Sequence, residues 1–238
     1  MPGRRAVENA AIRWMLMAVS ALIFDMDGTM VDSMPWHARS WGEFCRRHGI
    51  GLDIDEVLRR TTGRTGVECI RELMGQGTDE AQAWSLIGEK EAIYRELFAP
   101  AFTEVAGFRR FAQEARQRGL KLAVATAGDR HNIDFTLGRI ALQSPPDAVV
   151  GGDEGLRGKP HPDLFLEAAS RLGMTPESCI VFEDAPFGIE AAGRAGMRAV
   201  AICTTHDAGE LSGPHVIDHA KDYDELLARG WLARLAAG

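Results

Sequence analysis

The stretch AVSALIFDMDGT, residues 18–29, contains the first strand of the chain and its first pair of acidic residues. Val19 to Phe24 is a nearly continuous apolar run, which is typical of a parallel strand covered on both faces. Asp25 and Asp27 follow at the carboxyl end of that strand. Because open parallel sheets bind ligands beyond the carboxyl ends of their strands, these two residues mark the expected site.

An Asp-x-Asp-Gly sequence also occurs in calcium-binding loops and in ordinary turns. A calcium loop needs further oxygen ligands, but Val31 stands where the third is required and no glutamate closes the loop. A calcium loop is therefore excluded, and the acidic pair has to be interpreted together with the other strand ends.

The rest of the sequence divides into an all-helical block and an alternating block. From about residue 35 to residue 99 the periodicity predicts helices, whereas from Gly107 onward predicted helices and strands alternate. Alternation is typical of a parallel sheet with helices on both faces. The predicted fold class is α/β, a Rossmann-like parallel sheet core with helices on both faces and an inserted α-helical cap domain. The predicted boundaries are 1–32 and 103–238 for the core and 33–102 for the cap.

Capping residues, glycines and apolar runs locate the elements of the alternating block. Strands are predicted at 121–125, 148–150, 178–182, 199–203 and 215–217, and helices at 107–118, 130–140, 162–172, 188–195 and 222–235.

Polar residues follow the second core strand at Thr126-Ala127-Gly128-Asp129, where a helix opens. A hydroxyl and free backbone N–H groups at a helix start suit a phosphate oxygen, although an ordinary helix cap is the alternative.

Charged residues follow two more predicted elements. Lys159 precedes Pro160, which keeps the lysine out of helical geometry, and its ammonium group would neutralise clustered carboxylates and a bound phosphoryl group. Glu183 and Asp184 directly follow a buried apolar strand, where carboxylates are costly to desolvate unless a cation is close. The strand ends together predict one charged, phosphate-binding site.

The four ordered motifs resemble those of the haloacid dehalogenase (HAD) superfamily. They are Asp25-Met-Asp27-Gly-Thr, Thr126, Lys159-Pro160 and Glu183-Asp184. The position of the cap and the segment from Phe182 to Ala192 are similar to the β-phosphoglucomutase-like branch of that superfamily. The resemblance covers about residues 18–203.

The resemblance implies a mechanism with an aspartyl-phosphate on Asp25. Asp25 would be the nucleophile, and Asp27 would protonate the leaving oxygen and then activate water. Thr126, Ala127 and Lys159 would hold the phosphoryl oxygens. The resemblance also implies the following Mg²⁺ site: Asp25, the Asp27 backbone carbonyl and Asp184 as ligands, with Glu183 orienting metal-bound water.

Three residues of the cap resemble substrate-facing positions of the same branch. They are His37, Arg64 and Lys90, the last followed by Tyr94 one helical turn later. A packed histidine and a solvated helix face remain the alternatives for His37 and Lys90. Arg64 is favoured as a substrate contact.

The implied activity is a phosphatase acting on a sugar phosphate or a similar small phosphomonoester. A phosphosugar mutase of the β-phosphoglucomutase type is the alternative, because the two differ in how well the closed cap excludes water. A non-catalytic phosphate-binding module is a third hypothesis. Dehalogenation is disfavoured because a halide leaves without protonation, and Asp27 would have no use.

Composition limits the partners and the compartment. The formal net charge of −7 argues against nucleic acid, and no apolar run is long enough for a membrane span. Four widely spaced cysteines without a C-x-x-C pair fit buried thiols in a reducing cytosol. We expect a cytoplasmic protein, a monomer or a homodimer, with residues 1–17 as a loose extension before the first strand.

Overall fold

The computed structural model describes residues 18–61 and 64–235, so the predicted extension over residues 1–17 lies outside the described residues. Six strands form one parallel sheet: β1 (Ala21–Phe24), β2 (Lys121–Ala125), β3 (Ala148–Val150), β4 (Cys179–Glu183), β5 (Arg198–Ile202) and β6 (Val216–Ala220). Their spatial order is β3-β2-β1-β4-β5-β6. The first strand therefore lies between β2 and β4, with Phe24 level with Val124 and Phe182. The strand order reverses at this point, which opens a crevice at the carboxyl ends.

The helices fall into two groups along the chain. Four follow β1 directly: α1 (Met34–His48), α2 (Ile54–Thr61), α3 (Gly66–Met74) and α4 (Glu80–Phe98), which ends at a 3₁₀ turn at Ala99–Ala101. The others connect the strands or follow them: α5 (Phe108–Gln117), α6 (Arg130–Ile140), α7 (Asp163–Leu172), α8 (Pro186–Arg194), α9 (Tyr223–Ala228) and α10 (Trp231–Leu235), with a 3₁₀ turn at Pro176–Ser178.

Side-chain caps fix where several helices begin. The carboxylates of Asp79, Asp129 and Asp222 accept backbone N–H groups from the first turns of α4, α6 and α9. At the start of α3, Thr65 and Glu68 form a capping box. Such caps replace hydrogen bonds that the first turn of a helix cannot make internally.

The sheet is buried on both faces, as the apolar run of β1 predicts. Leu22 and Phe24 join one apolar cluster, which includes Phe111 and Phe182, and Ala21 and Ile23 join another on the opposite face. On the first face Phe24 stacks on Phe182 with ring centroids 4.8 Å apart. The alternation of strand side chains thus places helices on both sides of β1.

The four helices after β1 have an apolar cluster of their own, which contains Trp41, Phe44, Val57, Ile70 and Ile87. These helices form the inserted α-helical cap that belongs to the fold class. The boundaries at residues 33 and 102 stay a prediction.

The end of the chain differs from the prediction. The single helix predicted over 222–235 is wrong, because the chain forms α9 and α10 with a break at Gly230, whose φ is 62°. A left-handed glycine ends a helix readily because it has no Cβ. Strand β6 extends to Ala220, beyond the predicted 215–217. It is an edge strand that contains polar residues, so an apolar run does not mark its full length. No helix in the described ranges is both long and apolar enough to cross a bilayer.

Two leucines on α7 test the packing of the second face. Leu164 is fully buried and Leu166 is 38% exposed. We expect Leu164→Ala to lower the free energy of unfolding by about 2–5 kcal/mol, the range for truncating a buried leucine. Leu166→Ala should change it by roughly 0.5 kcal/mol or less. Urea unfolding measures both, and equal losses would contradict this packing.

Candidate active site

Four chain segments bring their polar side chains to the carboxyl edge of the sheet. Asp25 follows β1, Thr126 follows β2, and Glu183 and Asp184 stand at the end of β4. Lys159 comes from the loop before α7. These side chains are at least nine-tenths buried, and all of them line one cleft between the core and the cap helices.

Lys159 links two of the carboxylates. Its Nζ donates to Glu183 Oε1 at 2.6 Å and also to Asp25 Oδ1. The other oxygen of Glu183 accepts the backbone N–H of Ala185 at 2.7 Å. A Cβ at Gly188 would collide with Glu183, so a glycine is required where α8 approaches this carboxylate. Both Glu183 oxygens are therefore engaged in positioning Lys159 and the β4 end.

The crowding of charges is visible in the pKa values. Burial, opposed by the charge of Lys159 and reinforced by that of Glu183, raises the pKa of Asp25 to about 7. Burial alone would lower the pKa of Lys159, but the charges of Asp25 and Glu183 raise it above its usual range. The ammonium group therefore stays charged, and the site carries a surplus of carboxylates.

Asp184 is held beside the loop that follows β1. Its carboxylate accepts the hydroxyl of Thr29 at 3.0 Å and the hydroxyl of Thr205. Burial and the charges of Glu183 and Asp25 raise its pKa well above the usual range. Gly28 has a φ of 75°, and a Cβ there would collide with Asp184, so a glycine is needed for the two loops to approach.

The donor set at this edge suits a hard divalent cation. Asp25, Asp184 and the carbonyl of Asp27 offer oxygen atoms only, as Mg²⁺ prefers. In the described part of the chain no group of three or more His, Cys, Asp or Glu side chains could hold a metal ion. The expected set, with two side chains and one backbone carbonyl, does not require such a group.

Asp27 faces the cap rather than Lys159. Its Oδ1 accepts the hydroxyl of Ser33 at 2.7 Å and that of Tyr94 at 3.2 Å, and His37 Nε2 lies 3.1 Å away. Burial would raise the pKa of Asp27, but His37, Ser33 and the charge of Lys90 together lower it to about 2. Asp27 is thus held as a carboxylate.

His37, which contacts Asp27, also contacts Lys90, so two of the predicted cap residues are linked. Lys90 Nζ lies 2.7 Å from His37 Nδ1 and donates to Glu91 Oε1 at 2.9 Å. Because an ammonium group has only donors, Nδ1 must accept and the hydrogen of a neutral His37 lies on Nε2, facing Asp27. The ring of His37 also stacks on Tyr94, with centroids 3.8 Å apart. Lys90 is 1% exposed, so a solvated helix face is wrong for it.

The loop after β2 has the form expected for phosphate oxygens. Thr126 Oγ1 accepts the backbone N–H of Gly128 at 3.0 Å. The carbonyl of Ala127 lies so close to Gly152 that a Cβ there would collide with it. Ala127 and Thr126 both line the cleft, at the start of α6. The N–H groups of a helix start favour an anion at this position.

Arg64 lines the cap side of the same cleft. It lies in the connection between α2 and α3. Trp41 and Ile87 line the cap wall near it. The predicted residues therefore form two groups: the charged residues at the carboxyl edge of the sheet, and Arg64 on the cap wall. His37 and Lys90 lie between the two groups.

Most of the chain matches one protein family. Residues 22–202 match the family described as haloacid dehalogenase-like hydrolase. The chain belongs to this family. It is 35% identical over 208 residues to validoxylamine A 7'-phosphate phosphatase of Streptomyces hygroscopicus subsp. limoneus, covering 86% of this chain and 94% of that protein. It is 30% identical over 206 residues to hexitol phosphatase A of Escherichia coli K12, covering 86% and 92%.

The fold is shared with β-phosphoglucomutases as well. The structure of β-phosphoglucomutase from Clostridium difficile superposes with a TM-score of 0.78 at 21% identity, covering 92% of this chain and 98% of that chain. This agreement confirms the resemblance in fold between this HAD hydrolase and that branch.

Four polar residues around the site were missing from the sequence-based set. They are Ser33, Glu91, Asn132 and Thr205. Ser33 lies in the first motif region, and Glu91 is adjacent to Lys90, so proximity could have indicated both. Asn132 and Thr205 carry no local sequence signal, since each contacts the site only through the fold.

Asp25→Asn tests how much stability the crowded carboxylates at the carboxyl edge of the sheet cost. The pKa of Asp25 is raised from 3.8 to about 7 in the folded state. Its ionisation therefore does not affect the free energy of unfolding below pH 3.8, lowers it progressively between pH 3.8 and 7, and lowers it by a constant amount above pH 7. We expect Asp25→Asn, without divalent cations, to raise the unfolding midpoint at pH 8 and to lose this gain towards pH 4. Asp32→Asn, at an exposed neighbour, is the control. An Asp25→Asn variant less stable than the wild type at pH 8 would contradict the raised pKa of Asp25.

Proposed function

We propose that the chain is a Mg²⁺-dependent phosphatase of small phosphorylated metabolites, sugar phosphates or similar phosphomonoesters, that forms an aspartyl-phosphate on Asp25. The observation that carries the proposal is the pairing of buried Asp25 with Lys159, together with Asp27, which is held as a carboxylate two residues away. Both relatives described above carry phosphatase in their names. The proposed compartment is the cytoplasm, and the proposed assembly is a monomer or a homodimer.

In the first step a carboxylate oxygen of Asp25 attacks phosphorus in line, and the bond between phosphorus and the ester oxygen breaks. Lys159, Thr126 and the N–H groups after β2 would hold the phosphoryl oxygens during this transfer. Asp27 gives its proton to the departing alkoxide, so that the leaving group is an alcohol.

In the second step water attacks the phosphorus of the aspartyl-phosphate. Asp27, now ionised, accepts the proton of that water, inorganic phosphate leaves, and the Asp25 carboxylate is regenerated. The low pKa of Asp27 in the ligand-free site suits this half of the cycle. For the first half Asp27 must be protonated, and the negative charge of a bound phosphate monoester raises its pKa in that direction.

The metal ligands of this proposal are Asp25, Asp184 and the backbone carbonyl of Asp27, with Glu183 orienting metal-bound water. When bound, Mg²⁺ would offset the repulsion between the Asp25 carboxylate and the phosphate dianion. Ser33 and Tyr94 keep the Asp27 carboxylate in place through their hydroxyl groups.

Release of inorganic phosphate from a panel of sugar phosphates and other small phosphomonoesters tests the proposal. We expect release in the presence of Mg²⁺, its loss on adding a chelator, and none from Asp25→Asn. Little release from any substrate, with isomer interconversion once a sugar bisphosphate is added, would establish a phosphosugar mutase instead. Phosphate binding without turnover across the panel would establish a non-catalytic binding module.

Arg64 is proposed to contact the part of the substrate beyond the phosphate. We expect Arg64→Ala to lower kcat/KM for a sugar phosphate by about tenfold, the effect of losing one hydrogen bond to a charged group. Turnover of p-nitrophenyl phosphate should stay nearly unchanged, because its leaving group has no sugar hydroxyl for Arg64 to bind. Arg59→Ala, an exposed arginine of α2, is the matched control. An equal loss on both substrates would remove Arg64 from substrate selection.

A further inference from the structure

Asn132 lies in the first turn of α6, directly after the loop of Thr126 and Ala127, and is 1% exposed. Its backbone N–H donates to the Asp129 carboxylate that caps this helix, at 2.8 Å. Its side chain turns the other way, towards helix α4 of the cap. Asn132 therefore stands where the proposed phosphate loop meets the cap.

Both ends of the Asn132 carboxamide are bonded to α4. Nδ2 donates to Glu91 Oε2 at 2.6 Å, and Oδ1 accepts from Arg95 Nη1 at 2.7 Å. Glu91 and Arg95 are one helical turn apart and so present their side chains on the same side of α4. A rotated amide would place its NH₂ group against the guanidinium and its oxygen against the carboxylate, so these partners fix the orientation.

The contact continues from α4 to the site. The second oxygen of Glu91 accepts from Lys90, Lys90 donates to His37, and His37 faces Asp27. Each group in this series has a defined partner on each side. A displacement of Glu91 would therefore be passed on to the side chains that hold Asp27.

We propose that Asn132 is a positioning residue: it anchors the cap to the start of α6 and, through Glu91, Lys90 and His37, aligns Asp27 for proton transfer. The inference rests on the proposed function for its kinetic consequence. The anchor itself concerns only how the cap is held on the core. Asn132 acts through Glu91 and Arg95 and not by donating or accepting the transferred proton.

A side-chain exchange between positions 91 and 132 isolates the contact. Asn132→Asp sets two carboxylates against each other, while Arg95 still has an acceptor. Adding Glu91→Gln restores a donor opposite the new carboxylate and leaves an oxygen for Lys90, with the total charge unchanged. His131→Ala, at an exposed neighbour on α6, is the control.

The kinetic measurement is kcat/KM for a sugar phosphate, which needs protonation of its leaving oxygen, and for p-nitrophenyl phosphate, which needs it far less. For Asn132→Asp we expect a loss of about tenfold to a hundredfold on the first, as for a misplaced catalytic group. The loss on the second should stay within about threefold, because proton donation to this leaving group contributes little. The exchange variant should regain most of the activity, and His131→Ala should match the wild type. Equal losses on both substrates, or no recovery in the exchange variant, would overturn the proposal.

Small-angle scattering of the same proteins tests the anchor without turnover. We expect Asn132→Asp to have a larger radius of gyration than the wild type, because the cap opens, and the exchange variant to return to the wild-type value. An unchanged radius for Asn132→Asp would overturn the anchor. If the wild type turned over no substrate, the proposed function would fail, and the scattering comparison alone would decide for or against the anchor.

Discussion

Lys159 is enclosed with the carboxylates of Asp25 and Glu183 at the carboxyl edge of the sheet, and most of the site's geometry follows from this contact. An unpaired charge in such a place costs several kcal/mol, so removing the lysine would leave two buried carboxylates without their cation. The lysine therefore holds Asp25, at the end of β1, against Glu183, at the end of β4. It still leaves a surplus of negative charge, which the proposed Mg²⁺ would offset.

The carboxylate of Asp27 is held by contacts on the cap side of the site, and not by Lys159. Asp27 contacts Ser33, Tyr94 and His37, all of them outside the strand ends. Two aspartates separated by one residue thus experience opposite environments: the pKa of Asp25 is raised and that of Asp27 is lowered. Different environments for neighbouring carboxylates are how one site supports a nucleophile and a proton-transfer group. In the proposed mechanism the cap therefore takes part in the chemistry as well as in substrate selection.

Much of this arrangement could be predicted from the sequence, because local patterns determine it. The apolar run before Asp25 predicts a central strand, and parallel strands bring their carboxyl ends together, so Thr126, Glu183 and Asp184 follow. The single helix predicted over 222–235 failed because the break depends on one left-handed glycine. The contacts of Asn132 depend on how the cap lies on the core. Such contacts are set by tertiary packing, for which no local pattern exists.

The most direct test of the account is to trap the covalent intermediate. Wild-type enzyme in excess over a sugar phosphate would be quenched with acid during a single turnover and digested, and the peptides would be analysed by mass spectrometry. The account predicts one phosphoryl group on the peptide that contains Asp25, formed and lost fast enough to account for turnover. Phosphate release without a labelled peptide, or with the label on another residue, would contradict it.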